Sequence, residues 1–202
     1  MRSILAHEWD TESRSFTAMK LVFAVATNSD AAELAALHRA AAENLTRRFG
    51  HGFWSSSPSE RGILANMRLP KFSRILIARS NLPLVRSGEP VRREGRRIIG
   101  ALRLATKKPW AIDTSYFTAA VKPLYLTGMA VHPNLQRKGI GRLLLREAEA
   151  HALAWPADAI RLDAFDAAAG AGPFYAKCGY REVARVVYKN NPLVYFELTF
   201  PQ

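Results

Sequence analysis

Between Leu124 and Trp155 the chain spells a strand, a tight turn and a helix in succession, and this run narrows the choice of fold more than any other stretch. Leu124 to His132 is apolar through its middle, Leu126 to Val131, as suits a central strand, and Pro133 stops it because proline has no N–H to give a ladder. Gln136 to Gly141 then leads into a helix in which Ile140, Leu143, Leu144, Ala148 and Trp155 recur at helical steps as far as Pro156.

The rest of the chain supplies partners for that unit. Met19 to Thr27 reads as a strand. Asp30-Ala31-Ala32-Glu33 has capping-box spacing at a helix start, Leu34, Leu37, Ala41, Leu45 and Phe49 fall on one face of the helix that follows, and Gly50 stops it. Ser57-Pro58 opens a second helix, Ser59 to Leu69, which Pro70 closes. The period then changes: Arg74 to Arg79 and Arg97 to Thr106 read as a hairpin around a loop holding Pro83, Gly88, Pro90 and Gly95. Beyond the strand–turn–helix unit come a strand at Ile160 to Phe165 and a short helix through Phe174 and Tyr175 to Gly179. A terminal hairpin, Glu182 to Tyr188 with Leu193 to Leu198, turns across Asn190-Asn191-Pro192. The order βααβββαβαββ predicts an α/β protein of the α+β type, with a mixed sheet of about seven strands and helices on both faces. Residues 1–18 are polar, mixed in charge and aperiodic, and read as an extension to a single domain over 19–202.

At 202 residues, 49% hydrophobic and 23% charged, the chain has the length of one domain and a globular composition, which excludes a disordered chain or a repeat fibre. Its longest apolar run, Leu21 to Ala26, falls far short of the roughly 20 residues that span a bilayer, so no membrane partner is expected. Cys178 is the sole cysteine, which rules out intrachain disulfides and thiolate-built zinc sites and points to the cytoplasm. No two histidines have metal-ligand spacing, so no metal is expected. Lysine and arginine outnumber the acids 29 to 17, a net charge of +12 that suits nucleic acid, an anionic surface or a nucleotide cofactor. The clusters Arg92-Arg93, Arg96-Arg97, Lys107-Lys108 and Arg137-Lys138 are short and scattered, unlike the single block or stripe of a nucleic-acid tail.

The turn after the central strand carries the most chemistry. The first turn of a helix offers N–H groups without intrahelical partners and the positive end of the dipole, where phosphate binds if no side chain blocks it. In Gln136-Arg137-Lys138-Gly139-Ile140-Gly141-Arg142 two glycines clear the approach and three cations add charge. Glycines in this position also suit close helix packing, and the spacing alone leaves both readings open.

Gln136-Arg137-Lys138-Gly139-Ile140-Gly141 resembles the acetyl-CoA loop of the GNAT N-acetyltransferase superfamily, Gln/Arg-x-x-Gly-x-Gly/Ala, at every fixed position. Gly172-Pro173-Phe174-Tyr175-Ala176-Lys177-Cys178-Gly179-Tyr180 is similar to that family's Phe/Leu-Tyr-x-x-x-Gly-Phe/Tyr helix end, and the element order from Met19 to Leu198 is the family's too. The resemblance implies a GNAT fold whose sheet splays between its fourth and fifth strands. The pantetheine arm of acetyl-CoA would lie in the gap along Met129, Ala130 and Val131, one of whose amides would polarise the thioester carbonyl. Its phosphates would lie over Gln136 to Arg142. The activity implied is acetyl transfer to a primary amine, on a small molecule or a peptide, by direct attack in a ternary complex. Tyr175 would protonate the departing thiolate. An aromatic pair that packs its helix on the sheet is the other reading of Phe174-Tyr175, and it suits Phe174.

Two departures from the family stand out. Ala168, Ala169 and Gly170 occupy the place where many members carry an asparagine, and Tyr125-Leu126-Thr127-Gly128-Met129 holds none of the carboxylates that many members place on this strand. The general base is therefore Asp163, Asp166 or a water path. For the acceptor, the aromatic residues Phe53, Trp54, Trp110, Tyr116, Phe117 and Tyr125 read either as a pocket, with Asp113 to hold an ammonium, or as a satellite cluster that pins the 107–122 loop. Lys107 and Lys108, if they faced such a pocket, would favour an acceptor that also carries an anionic group. A second class of function fits the charge: a catalytically weak GNAT scaffold that binds nucleic acid or the ribosome, or an acetyltransferase that modifies protein or tRNA.

Overall fold

The structure, a computed structural model, describes residues 8–9, 20–80 and 97–201. Seven strands and four helices follow the order read from the sequence: β1 Leu21–Val25, α1 Ala31–Phe49, α2 Glu60–Met67, β2 Ser73–Ser80, β3 Arg97–Ala105, β4 Pro123–Val131, α3 Ile140–Ala154, β5 Ala159–Phe165, α4 Gly172–Lys177, β6 Arg181–Tyr188 and β7 Asn191–Thr199. A two-residue strand, Glu8–Trp9, pairs with β1 and makes an eighth. The rest of the 1–18 extension, the loop with Pro83, Gly88, Pro90 and Gly95, and the cations Arg92, Arg93 and Arg96 lie outside the described residues.

The sheet runs from Glu8–Trp9 through β1, β2, β3, β4, β5 and β7 to β6, and every pair is antiparallel except β4 with β5. That parallel pair is short: Pro123, Leu124 and Tyr125 face Ala159, Ile160 and Arg161, and no later residue of β4 pairs with β5 although both strands run on. The expected splay between the fourth and fifth strands is thus present. Strand residues alternate between two faces. On one face Leu124, Leu126, Leu162 and Ala164 join α3 and α4 through Ile140, Leu144, Leu145, Ala148 and Tyr175. On the other, Ile75, Ile77, Ile98, Ala101 and Ala130 pack under α1 and α2, and Tyr125, Leu193 and Tyr195 pack against Ile112 and Phe117 of the 107–122 loop.

Local departures from expectation have plain causes. The capping box falls one turn early: Asp30 accepts the Thr27 N–H at 2.9 Å and pairs with Arg79, while Glu33 accepts the Ile98 N–H at 2.9 Å and so ties α1 to β3. Gly50, at φ 79°, ends α1 as expected. Leu34 and Leu37 are buried, but Ala41, Leu45 and Phe49 are only half-buried, because the core narrows toward the end of the helix. The β6–β7 turn is Lys189-Asn190, with φ of 48° and 64°, the mirror-image turn that matches strand twist. Pro192 therefore lies inside β7 opposite Val187, on the side where no N–H is required.

Candidate active site

The turn between β4 and α3 is built on residues of left-handed conformation. Arg137 has φ 62° and Gly139, the residue that caps α3, has φ 82° with nothing within 4 Å of where a Cβ would stand. Gly139 is required by its backbone angle and leaves open space above it. The first i to i−4 bond of α3 runs from the Leu143 N–H to the Gly139 carbonyl at 3.1 Å, so the N–H groups of Ile140, Gly141 and Arg142 have no helical partner. No acid occupies that first turn. Gly141 answers the packing reading: a Cβ there would come within 3.1 Å of Phe174 Cζ and 3.3 Å of Met129 Cε.

These groups open on a cleft of about 640 Å³ between β4, the turn, α3 and α4, a volume usual for small-ligand sites. Of the residues nominated from Met129 to Arg142, all but Lys138 line it, together with Phe174 and Tyr175. The His132 N–H donates to the Ile99 carbonyl on β3 at 2.8 Å. With a period of two, the main-chain groups of Val131 and Met129 therefore turn to the gap and those of Ala130 turn to β3. Gln136 Nε2 donates to the Val131 carbonyl at 3.2 Å, which fastens the turn to the end of β4 and leaves the Val131 N–H and both Met129 groups facing the gap.

Tyr175 reaches the same place from α4. Its ring is buried among Phe174, Tyr180 and Phe196, with centroids 5.4 to 5.9 Å away, and its hydroxyl donates to Met129 Sδ at 3.6 Å. Burial, with the charge of Asp163 added, pushes the phenol well above its ordinary pKa, so it stays protonated. Cys178 nearby is half-buried, and burial raises its thiol likewise, the opposite of what a nucleophile needs.

The two candidate bases part company. Asp166 holds Arg185 with both oxygens, at 2.8 and 2.9 Å. Asp163 lies on β5 beyond the last residue paired with β4, opposite Tyr195 on β7, and burial raises its carboxyl. Gly170 bears on the missing asparagine: a Cβ there would fall 1.8 Å from the Phe165 carbonyl oxygen, so that position admits no side chain.

The aromatic residues divide. Tyr125 is buried beside Tyr195, Tyr116 meets the Tyr195 ring edge-on at 6.0 Å, and Phe117 stacks on it at 5.4 Å. Trp54 and Phe53 approach Phe165 at 5.8 and 6.4 Å. Trp110 is 86% exposed and is not brought to the others. Asp113 accepts from both the N–H and the hydroxyl of Ser115, which lower its pKa, and Lys108 donates to the Ile112 carbonyl at 2.7 Å. Both therefore serve the loop's own turns.

A family model described as the acetyltransferase (GNAT) family matches residues 66–180, more than half of the chain. The chain belongs to the GNAT acetyltransferase family. Solved structures share its fold: they include yncA of Salmonella typhimurium with its cofactor acetyl-CoA, at 16% identity over 89% of this chain and 93% of that one with a TM-score of 0.59. A chain of the NatC complex bound to Gag peptide and CoA matches at 17% identity, over 90% of this chain and 99% of that one, TM-score 0.60. The ribosomal-protein-alanine N-acetyltransferase of Brucella melitensis matches at 17%, over 88% and 99%, TM-score 0.60. A search of curated proteins finds no match.

For this GNAT member, sequence reasoning missed a β-bulge. Ala101 faces Ala130 and Arg103 faces Thr127, so Gly128 and Met129 together oppose Leu102, with Gly128 at φ 59°. A glycine inside an apolar strand was the available signal. It missed His38 as well, which stands over that bulge from α1, 3.6 Å from where a Gly128 Cβ would be, its pKa lowered by burial. Among the described residues no three His, Cys, Asp or Glu side chains gather as a metal site would need, and no helix is long and apolar enough to cross a membrane.

Proposed function

We infer that this protein is an acetyl-CoA-dependent N-acetyltransferase that moves an acetyl group to a primary amine by direct attack while both substrates are bound. One observation carries the reading: a helix N-terminus free of acids, an unpaired strand edge and a buried phenol follow one another along a single cleft. Acetyl-CoA would supply an acyl group activated as a thioester. The residues present fit it. The amides of Ile140, Gly141 and Arg142, with the guanidinium groups of Arg137 and Arg142 on the cleft wall and Lys138 adding charge beside it, suit a pyrophosphate. The gap-facing groups of Met129 and Val131 suit the amides of an extended arm, and a Met129 or Val131 N–H suits an oxygen on which charge develops. Tyr175 holds a proton beside Met129, where the sulfur of such an arm would end, and its raised pKa keeps that proton available across the neutral range.

Isothermal titration tests the reading. Acetyl-CoA should bind well above AMP, and a folded Gly139→Val variant should bind it less well. Gly139 is the better probe than Gly141, because a side chain there meets no neighbour and disturbs only the turn's backbone angle. Acetyl-CoA binding no tighter than AMP, or unchanged in the variant, would remove it.

A further inference from the structure

We propose that Asp163 is the general base of the transfer and that the acceptor is a primary ammonium on an uncharged, apolar body, which enters from the α1–α2 face along Phe53, Trp54 and Phe165. The proposal deepens the acetyltransferase reading and rests on it. Arg161, Asp163 and Phe165 project from one face of β5, since side chains alternate, while Leu162 and Ala164 join the core under α3 and α4. Arg161 is at the last pair with β4, so Asp163 is the first residue on its face to stand at the open gap. Its neighbours there hold no cation for it among the described residues. Arg161 is engaged by Glu197 at 3.2 Å and by the Thr118 carbonyl, and Arg185 is engaged by Asp166 and Glu182. Asp163 is thus a partly buried carboxylate on the stretch of β5 that has parted from β4, at the edge of the gap whose other side carries Met129 and Val131 of the cleft.

The acceptor class follows from what lines the approach. Phe165 lies two residues, about 7 Å, further along β5 than Asp163, and the rings of Phe53 and Trp54 close on it. Ring faces attract an ammonium group and accept an apolar body. Of the two lysines that would have called for an anionic group on the acceptor, Lys108 donates to the Ile112 carbonyl of its own loop and Lys107 is exposed, and neither lines the approach past Phe53, Trp54 and Phe165. In the reaction Asp163 removes one proton from R–NH3+. The freed lone pair forms the C–N bond to the thioester carbonyl carbon, the C–S bond breaks, and the sulfur takes the Tyr175 phenol proton. Tyr175 recovers a proton from the acylated nitrogen and Asp163 gives its own to solvent, so that amine and thioester become amide, thiol and one released proton.

The titratable and charged groups that act on Asp163 or stand beside it are Tyr175 from α4, Tyr195 from β7 and the Arg161–Glu197 pair, and His38 stands over Gly128 on the neighbouring β4. Both tyrosines are raised away from the acid range, whereas His38, lowered by burial, titrates on the same side as a raised carboxylate, so the acid limb is assigned by its loss in Asp163→Asn and its persistence in His38→Gln. The test uses the full chain with acetyl-CoA and three probes of one body: 2-phenylethylamine, phenylalaninamide and phenylalanine. The first two should release CoA at least tenfold faster than the third. Asp163→Asn should lower kcat by about 10²- to 10⁴-fold, leave acetyl-CoA affinity unchanged and abolish the acid limb of the kcat/KM profile, while Asp163→Glu restores part of both. Phe53→Ala, at a residue 61% exposed and so safe for folding, should raise the amine KM about threefold without moving acetyl-CoA binding. Wild-type turnover or an intact acid limb in Asp163→Asn, a phenylalanine rate equal to that of its amide, or no turnover of any probe by a protein that binds acetyl-CoA would overturn the inference alone. Failure to bind acetyl-CoA would overturn the underlying reading and the inference together.

Discussion

The 136–142 turn and the 107–122 loop are both polar, cationic connections to β4, yet they direct their polar groups in opposite ways. In the turn, amides and guanidinium groups point outward onto a cleft, and the hydrogen bond that shapes it, Gln136 to the Val131 carbonyl, serves to hold the opening. In the loop the polar groups are engaged by the protein itself. Asp113 caps Ser115, the Asp113 N–H donates to the Tyr195 hydroxyl at 3.2 Å, and Thr118 receives Arg161 on its carbonyl and Arg181 on its hydroxyl while its N–H donates to buried Glu197. A polar group already bonded to another part of the protein has less capacity for a ligand than an unpartnered donor over open space. The first region leaves donors open over a cleft, as the proposed receiving side, and the second ties the edge of the splay to its neighbours, as the holding side.

The largest effect should come from the receiving side. Tyr175→Phe should keep acetyl-CoA affinity and lower kcat about 10²- to 10⁴-fold, read by CoA release and titration; a wild-type kcat would make this ring a packing residue only. On the holding side, Glu197→Ala leaves Arg161 buried without its carboxylate, and should cost about 3–5 kcal/mol of stability by denaturant unfolding, with acetyl-CoA binding retained in whatever remains folded. A loss much below that would mean that water reaches Arg161. Gly139→Val forces a branched side chain into φ 82° and should lower stability by about 1–2 kcal/mol as it weakens acetyl-CoA binding.

A smaller effect separates the two sides by pH. Because burial raises the Asp163 carboxyl, the folded state holds that proton more tightly than the unfolded chain does. Its contribution to stability is complete below the unfolded carboxyl value and is lost as pH rises through the raised folded one. Asp163→Asn should therefore melt above wild type at pH 7, with the difference closing as pH falls toward about 4; a variant that melts lower at pH 7 would make Asp163 a structural partner. The smallest effect belongs to Trp110→Ala, which should change stability by less than about 0.5 kcal/mol at so exposed a position. If it nonetheless raises the acceptor KM, the loop tip belongs to the acceptor path.

Much of this was legible in the order of residues, because it is local. The strand, turn and helix from Leu124 to Trp155, the left-handed Gly139 and the aromatic pair on α4 each depend on neighbours a few positions away, and the αL angle, the helix dipole and the helical period all operate at that range. Element order followed from the same local periods, and the GNAT fold was implied by the resemblance of Gln136 to Gly141 and Gly172 to Tyr180 to that family's motifs. Tertiary structure alone separated two acids on or just after one strand: Asp166 meets Arg185, nineteen positions away, and Asp163 stands where β5 has parted from β4. It also decided which aromatic rings gather, since Trp54 meets Phe165 across most of the chain while Trp110 meets nothing comparable, and it placed the bulge at Gly128. The reason is one of range: hydrogen bonds, ion pairs and ring contacts between distant segments exist only after the sheet has paired, and strand register, not local sequence, sets which side chains face each other.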